Sequence, residues 1–193
     1  MRIRKHLLNS KKKINNLNIG NPPSIFFDEK YNISYDDCLS FEEVNFLKKN
    51  FKKNKINVIE VGPGYGRSVE SFLINYKVNK YFCLDYKNIL ILTKQYLKKV
   101  LNKNLFNKII FCEFESFNFE KKFFINNYNL EKFDLLINSD SFHEIEPNIV
   151  KKYLNFFNPI CDNFFIKNAI AKYKPQDLID HLSRKKFPNL IKN

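Results

Sequence analysis

Three of the four glycines in the 193-residue chain, Gly62, Gly64 and Gly66, lie directly after an apolar run that predicts a β-strand. Glycine permits a tight turn with positive φ and lets a ligand lie against bare backbone. The helix predicted to follow offers unpaired amide groups at its N-terminus. This spacing therefore predicts a loop that binds a nucleotide-like ligand.

The glycine spacing also separates classes of nucleotide. The nicotinamide and flavin fingerprint GxGxxG needs its third glycine at position 67, where this chain has Arg67. The sequence is ExGxGxG instead, and it begins at Glu60. A second acid, Asp85, ends the next predicted strand, where a carboxylate can accept two hydrogen bonds from a ribose diol. A cap for the helix predicted from about residue 88 is the alternative role of Asp85.

The loop after the fourth predicted strand, NSDSFHEIEP, is the expected acceptor site, because ligands of open α/β folds bind at the carboxyl ends of strands. It contains His143, and imidazole is the side chain best suited to take a proton near neutral pH. We therefore predict His143 as the catalytic base. Two alternatives stay open: packing or helix capping by His143, and a divalent metal shared with Asp140, Glu144 and Glu146.

Short apolar runs alternate with helical segments, which is typical of βαβ units and a parallel sheet. We predict five strands, at residues 56–61, 80–85, 108–113, 133–138 and 163–168. We predict helices at residues 66–76, 88–101, 147–158 and 175–185, and a weaker helical segment at 118–129, for which a loop is the alternative. Residues 1–39 are expected to be partly extended, and Ser40 with Glu43 forms an SxxE capping box that predicts a helix over 41–53.

The predicted fold class is α/β, a Rossmann-like three-layer sandwich with a mainly parallel five-stranded sheet. The whole chain, 1–193, is expected to form one domain. Its parts are a lead-in and helix at 1–54, a cofactor-binding core at 55–170, and a helix and tail at 171–193.

The composition is that of a globular protein, with 44% hydrophobic and 27% charged residues. The formal net charge of +13 comes from lysines scattered in twos and threes, which indicates a solvated surface. No apolar run approaches the length of a membrane span. Four cysteines lack CxxC spacing, which predicts free thiols and a cytoplasmic location: Cys38, Cys83, Cys112 and Cys161. Three of them fall within or just before apolar runs, which predicts that they pack in the core.

The block VIEVGPGYG around Glu60 resembles motif I of class I S-adenosylmethionine-dependent methyltransferases. The resemblance implies that the glycine loop wraps the methionine part of S-adenosylmethionine while Glu60 helps to hold its ammonium group. It also implies that Glu113 or Glu115, at the end of the third strand, contacts the adenine amino group. We assign Asn138, at the start of the later loop, to the cofactor site as well.

Four blocks in order look similar to sugar O-methyltransferases of bacterial surface-polysaccharide clusters. They are IGNP at 19–22, VIEVGPGYGR at 58–67, LDYKNILILTKQYL at 84–97 and NSDSFHEI at 138–145. The resemblance implies methyl transfer to a hydroxyl of a sugar or glycan precursor. That family usually carries glutamine or a similar residue where this chain has His143, so the role of His143 is not inherited.

Class I methyltransferases normally continue past the fifth strand with a helix and an antiparallel hairpin, whereas only 25 residues follow Asn168 here. We therefore expect a sheet that lacks the hairpin, with an edge that a second copy of the chain could cover. Two other functions stay open. The positive charge and the aromatic residues fit an RNA or DNA methyltransferase, and the short C-terminal end fits a catalytically silent binding module.

Overall fold

An antiparallel hairpin precedes the first long helix. The structure, a computed structural model, describes residues 19, 24–28, 31–117, 119–120 and 122–168. Strands β1 (Ser24–Asp28) and β2 (Tyr31–Ser34) form the hairpin, within the segment predicted to be extended. Helix α1 (Tyr35–Asn50) follows directly.

Helix α1 begins earlier than predicted, because Ser34 is its N-cap and accepts a 3.0 Å hydrogen bond from the backbone N of Asp37. The predicted capping box at Ser40 and Glu43 is wrong, because both residues lie inside α1. The Ser40 hydroxyl donates to the carbonyl of Asp36 at 2.9 Å, and the Glu43 carboxylate pairs with Lys167 at 2.9 Å. The SxxE residues thus make contacts within and beyond the helix instead of starting it.

Five parallel strands form the central sheet, which confirms the predicted fold class. Their order is β5-β4-β3-β6-β7, so β3 is central. Every predicted strand is present within a few residues of its expected bounds: β3 (Ile56–Val61), β4 (Val78–Asp85), β5 (Ile109–Glu113), β6 (Leu135–Ser139) and β7 (Phe164–Lys167). The connections reverse direction between β3 and β6, and ligands of open α/β sheets bind outside the carboxyl ends at such a point.

Helices cover both faces of this sheet. The three predicted within the core are α2 (Arg67–Asn75), α3 (Lys87–Val100) and α6 (Pro147–Phe157). Of two short helices, α4 (Lys103–Phe106) was not predicted, and α5 (Phe123–Tyr128) lies in the weaker segment predicted at 118–129. Their few residues give too little periodicity to distinguish them from turns.

The core has two halves, one on each face of the sheet. Side chains of α1, α2 and α3 cover one face, and the other is packed by aromatic rings of α5 and α6. Phe124 contacts Phe82 and Phe133 edge to face, with centroids 5.7 and 4.8 Å apart. Such burial stabilises the fold by about 1.5–3 kcal/mol for each large side chain. The carboxyl ends of the strands are therefore held on a rigid base.

The four cysteines are free, as predicted, and all four are buried, including Cys38, which lies in helix α1 outside the predicted strands. Among the described residues, no helix combines the length and apolarity that crossing a membrane requires. The helix predicted at 175–185, the residues after 168 that bear on the predicted lack of a hairpin, and most of the IGNP block lie outside the described residues.

Candidate functional site

The loop between β3 and α2 is shaped by its glycines. Gly62, Gly64 and Gly66 all have positive φ, at 74°, 56° and 105°. A β-carbon at Gly62 would collide with the Ser141 side chain, whereas one at Gly64 would meet nothing within 4 Å. The backbone of Gly64 therefore faces open space, as a surface that receives a ligand must.

Asp85 lies directly beside this open backbone. Its carboxylate accepts hydrogen bonds from the backbone N of Tyr86 at 2.8 Å and from the backbone N of Gly64 at 3.3 Å. The side chain does not cap α3, which has no side-chain cap. Burial raises the pKa of Asp85, and the two backbone hydrogen bonds partly oppose this rise. The structure thus brings Asp85, the residue predicted to bind a ribose, next to the glycine loop.

Glu60 lies beneath the loop with 1% of its surface exposed. Its two carboxylate oxygens accept hydrogen bonds from the Ser68 hydroxyl at 2.6 Å and the Tyr81 hydroxyl at 2.7 Å. Burial raises its pKa to about 7, although both hydroxyls favour the ionised form. Glu60 therefore ties the end of β3 to α2 and β4, which fixes the base of the loop.

Glu113 and Glu115 lie at the end of β5, next to the end of β4. Glu113 is half-buried and pairs in register with Asp85. Glu115 is exposed, its carboxylate lies 3.5 Å from the backbone N of Lys87, and its charge contributes to the raised pKa of Asp85. Both acids thus lie on the side of Asp85 away from the glycine loop.

Asn138 organises the loop that follows β6, and it is fully buried. Its amide nitrogen donates to the carbonyl of Val61 at 2.8 Å and also contacts the Ser141 hydroxyl. Its amide oxygen accepts from the backbone N of Phe142 at 3.2 Å and from the side chain of Asn168 at 2.9 Å. The predicted cofactor residue Asn138 thus holds the β6 loop against the end of β3.

His143 lies in a 3-10 turn, Phe142–Glu144, at the tip of the same loop. Its ring Nδ1 is 3.5 Å from Oδ1 of Asn168, which also accepts a hydrogen bond from the His143 backbone N. Its Nε2 is 3.4 Å from a carboxylate oxygen of Glu144, and its side chain is 10% exposed. Among the described residues, no three potential ligands are close enough to share a metal ion, so the metal alternative gains no support.

Three contacts that the sequence did not predict attach helix α1 to the glycine loop. The Tyr65 hydroxyl donates to the Asp36 carboxylate at 2.9 Å. The Arg67 guanidinium donates to the carbonyl of Asp36 at 3.1 Å and to the Ser40 hydroxyl at 2.9 Å. Arg67 occupies the position at which a GxGxxG loop has glycine. This departure was the only feature of the sequence that could have indicated a structural role for the Arg67 side chain.

No known protein family matches the sequence, and no curated protein matches it either. Solved structures do match the fold. The glycopeptide N-methyltransferase MtfA matches with a TM-score of 0.52 and 14% identity, over 70% of this chain and 57% of MtfA. The methyltransferase domain of bacterial CtHen1-C matches with a TM-score of 0.51 and 16% identity, over 65% and 60%.

A candidate O-methyltransferase from Nostoc punctiforme PCC 73102 matches with a TM-score of 0.50 and 10% identity, over 64% of this chain and 33% of that protein. The chain thus spans between a third and three fifths of the length of these structures. At such low identity, the matches show that the chain shares the fold of these methyltransferases.

Proposed function

We propose that the chain binds S-adenosylmethionine at the carboxyl edge of its sheet and catalyses methyl transfer to a hydroxyl of a sugar or glycan precursor. The observation that carries this proposal is the open backbone of Gly64 beside the carboxylate of Asp85. Bare backbone and a strand-end acid are the two features by which Rossmann-like folds hold a nucleoside. MtfA, which shares the fold, has been solved with S-adenosylmethionine, sinefungin and S-adenosylhomocysteine.

The described residues fit this cofactor. A β-carbon at Gly64 would project into space that no protein atom within 4 Å fills, so the loop leaves room for a ligand. The Asp85 carboxylate uses one oxygen for the Tyr86 amide and one for the Gly64 amide, and each oxygen keeps a further lone pair for a ribose hydroxyl. In this proposal Glu60 does not touch the cofactor, because its side chain is buried beneath the loop with 1% of its surface exposed.

His143 is positioned to accept the proton of the acceptor hydroxyl. Both ring nitrogens of His143 lie beside hydrogen-bond acceptors: Nδ1 is 3.5 Å from Oδ1 of Asn168, and Nε2 is 3.4 Å from a carboxylate oxygen of Glu144. These two acceptors do not select one neutral tautomer, but both stabilise the imidazolium that forms when His143 takes the proton.

S-adenosylmethionine supplies a methyl group on a positively charged sulfur, which needs little acid assistance to leave. The main task of the β3 and β6 loops is therefore to align the acceptor oxygen for in-line attack. Such alignment can lower a barrier by about 7 kcal/mol or more. Asn138 and Ser141 contribute by fixing the β6 loop to the carbonyl of Val61, directly before the glycine loop.

The charge of this edge favours a neutral sugar over a nucleic acid as the acceptor. Acidic residues end or follow three of the five strands: Asp85 ends β4, Glu113 ends β5 with Glu115 after it, and Asp140 and Glu144 follow β6. Carboxylates at this edge of the sheet repel a phosphate backbone. Sugar hydroxyls, in contrast, are hydrogen-bond partners for carboxylates.

Titration calorimetry with S-adenosylmethionine tests the cofactor part of the proposal. Wild-type protein is expected to bind, and Asp85→Ala is expected to bind about 10- to 100-fold more weakly, because hydrogen bonds to a charged group contribute about 1.5–3 kcal/mol. The matched control Glu131→Ala removes an exposed carboxylate far from the site and should bind as the wild type does. A folded wild-type sample that does not bind the cofactor would refute the proposal.

The acceptor part needs a separate measurement. Transfer of a labelled methyl group to monosaccharides, nucleotide sugars or glycan fragments is the expected outcome. Methylation of RNA but of no sugar would replace the sugar proposal with the nucleic-acid alternative. Binding of the cofactor without transfer to any acceptor would favour the silent binding module.

A further inference from the structure

Three of the helices that flank the sheet, α1, α3 and α4, carry lysines in their last turns, at the edge opposite to the glycine loop. In a parallel α/β sheet, every helix between two strands runs back toward the amino ends of the strands. The last turns of α1, α3 and α4 contain Lys48 and Lys49, Lys98 and Lys99, and Lys103. A cation at the C-terminus of a helix is attracted by the negative end of the helix dipole, which accounts for part of this pattern.

The loops that enter the strands add lysines for which the helix dipole gives no reason. Lys52 and Lys53 precede β3, Lys77 precedes β4, Lys108 precedes β5 and Lys132 precedes β6. All of these loops lie at the amino edge, because the strands are parallel. Backbone hydrogen bonds join them: the N of Ile56 donates to the carbonyl of Lys77 at 3.1 Å, and the N of Tyr81 donates to the carbonyl of Lys108 at 2.9 Å.

Few acids balance this charge within the described residues of the amino edge. Two of them, Asp134 and Asp162, both lie within salt-bridge distance of Lys53, at 2.5 and 3.4 Å. The third, Glu131, is exposed. The sequence disperses its lysines along the chain, but the fold collects most of those described here at one edge and places acids at the other.

We infer that the amino edge of the sheet is a sequence-independent docking surface for the sugar–phosphate backbone of a nucleic acid. Lysines here neutralise phosphates and release counterions, which drives such binding. Exposed asparagines lie between the lysines, at Asn54, Asn79 and Asn107, and their amides can hydrogen-bond to phosphate and sugar oxygens. The partner is recognised by charge and backbone hydrogen bonds, not by base identity.

A nucleic acid fits this surface better than an anionic membrane does. The exposed residues of these loops are mainly lysine and asparagine, whereas membrane-surface segments also insert aliphatic or aromatic side chains. Phe133, the aromatic residue between Lys132 and Asp134, is 1% exposed and points into the core. Polar amides gain hydrogen-bond partners on a sugar–phosphate backbone.

This surface is separate from the proposed methyl-transfer site. A strand rises about 3.3 Å per residue, so the strands put roughly 20 Å between the two edges. A nucleic acid at the amino edge is therefore not presented to Gly64 or His143. Salt-sensitive nucleic-acid binding by this chain would thus not by itself indicate nucleic-acid methylation.

Fluorescence anisotropy with a labelled oligouridylate of about 16 nucleotides tests the inference. Wild-type protein is expected to bind with an affinity that falls steeply between about 50 and 200 mM salt. A quadruple edge variant is expected to bind at least about 10-fold more weakly. The slope of the logarithm of its binding constant against the logarithm of the salt concentration should be less steep by up to about 3. Its substitutions are Lys52→Gln, Lys77→Gln, Lys103→Gln and Lys132→Gln, all at exposed positions.

The matched control removes the same number of exposed lysines elsewhere. Its substitutions are Lys94→Gln, Lys122→Gln, Lys151→Gln and Lys152→Gln, and it should bind nearly as the wild type does. Equal losses in both quadruple variants would overturn the inference, as would a wild type that does not bind the oligonucleotide. Binding to phosphatidylglycerol vesicles without oligonucleotide binding would replace the nucleic acid with a membrane.

Two further measurements keep this test independent of folding and of the proposed function. Thermal unfolding monitored by circular dichroism checks that each variant is folded; if the quadruple edge variant is not, the double variant Lys52→Gln, Lys77→Gln takes its place. Calorimetry should give the same S-adenosylmethionine affinity for the edge variant as for the wild type. Failure of cofactor binding in every sample would contradict the proposed function but not the docking surface.

Discussion

The β3 loop, residues 62–66, and the β6 loop, residues 140–144, meet at the carboxyl edge but are built differently. Backbone conformation shapes the β3 loop, because three glycines there have positive φ. Side-chain hydrogen bonds shape the β6 loop, chiefly those of Asn138 and Ser141 to the carbonyl of Val61. The first loop suits a ligand that lies against bare backbone, and the second suits an acceptor that side chains orient.

Each loop also rests on a buried polar side chain, and the two differ in charge. Glu60, beneath the β3 loop, is a titratable acid held by two hydroxyl donors. Asn138, beneath the β6 loop, is a neutral amide whose nitrogen and oxygen are both hydrogen-bonded. Only the support of the β3 loop should therefore respond to pH.

The largest expected effect separates the two loops by function. His143→Ala should lower turnover by about 100-fold or more, because a positioned general base contributes that much. The affinity for S-adenosylmethionine should not change, since our proposal assigns His143 to the acceptor and not to the cofactor. Single-turnover methyl transfer and cofactor calorimetry measure the two quantities.

His143→Gln is the matched variant for this prediction. Glutamine keeps a polar side chain of similar reach but cannot take a proton near neutral pH. Its turnover should fall as that of the alanine variant does. If glutamine restored turnover, His143 would orient the acceptor and would not act as the base.

The next effect concerns pH and distinguishes the two buried supports. Burial raises the pKa of Glu60 from 4.5 to about 7, so the folded protein binds a proton that the unfolded chain releases between these values. The stability from this group is complete below pH 4.5 and is lost as the pH rises toward about 7. Relative to Glu60→Gln, the unfolding free energy of the wild type should fall by about 3 kcal/mol over this range.

Urea denaturation at several pH values provides this comparison, with two controls. Asn138→Ala should lower the unfolding free energy equally at every pH, since the asparagine side chain neither takes up nor releases a proton. Glu42→Gln, an exposed neighbour of the buried Glu43, should leave the pH dependence unchanged. A pH profile that is the same in the wild type and in Glu60→Gln would contradict the assigned role of Glu60.

The smallest expected difference, about 2 kcal/mol in unfolding free energy, is between two glycines of the same loop. Gly62→Ala should lower the unfolding free energy by about 3 kcal/mol, because its β-carbon collides with Ser141 and the backbone φ is positive. Gly64→Ala meets no atom within 4 Å and should cost only about 1 kcal/mol. Its cofactor affinity should nevertheless fall about 10-fold, because the methyl group occupies the space left for the ligand.

Denaturation and calorimetry on both variants measure this contrast. Full cofactor affinity in Gly64→Ala would mean that the ligand lies elsewhere. A loss of stability in Gly64→Ala as large as that in Gly62→Ala would mean that the open space is filled by the protein.

The sequence by itself determined the five strands, the three longer core helices, the buried cysteines and the turn after β3. These features depend on local patterns: the apolar runs of buried parallel strands, the period of the helices, and glycines that permit positive φ. The glycine cluster also predicted which strand end would carry an open backbone, and no protein atom lies within 4 Å of the position that a β-carbon on Gly64 would take. Such features need no knowledge of distant residues.

Only the tertiary structure decided which partners the polar residues meet. Ser40 and Glu43 look like a capping box in sequence, but Ser40 binds Arg67 and Glu43 pairs with Lys167, which is 124 residues away. Glu60 acquired its raised pKa from burial between β4 and α2, and the lysines acquired a common edge from the parallel strands. Long-range packing sets burial, charge clustering and hydrogen-bond partners, because residues distant in sequence become neighbours only in the folded chain.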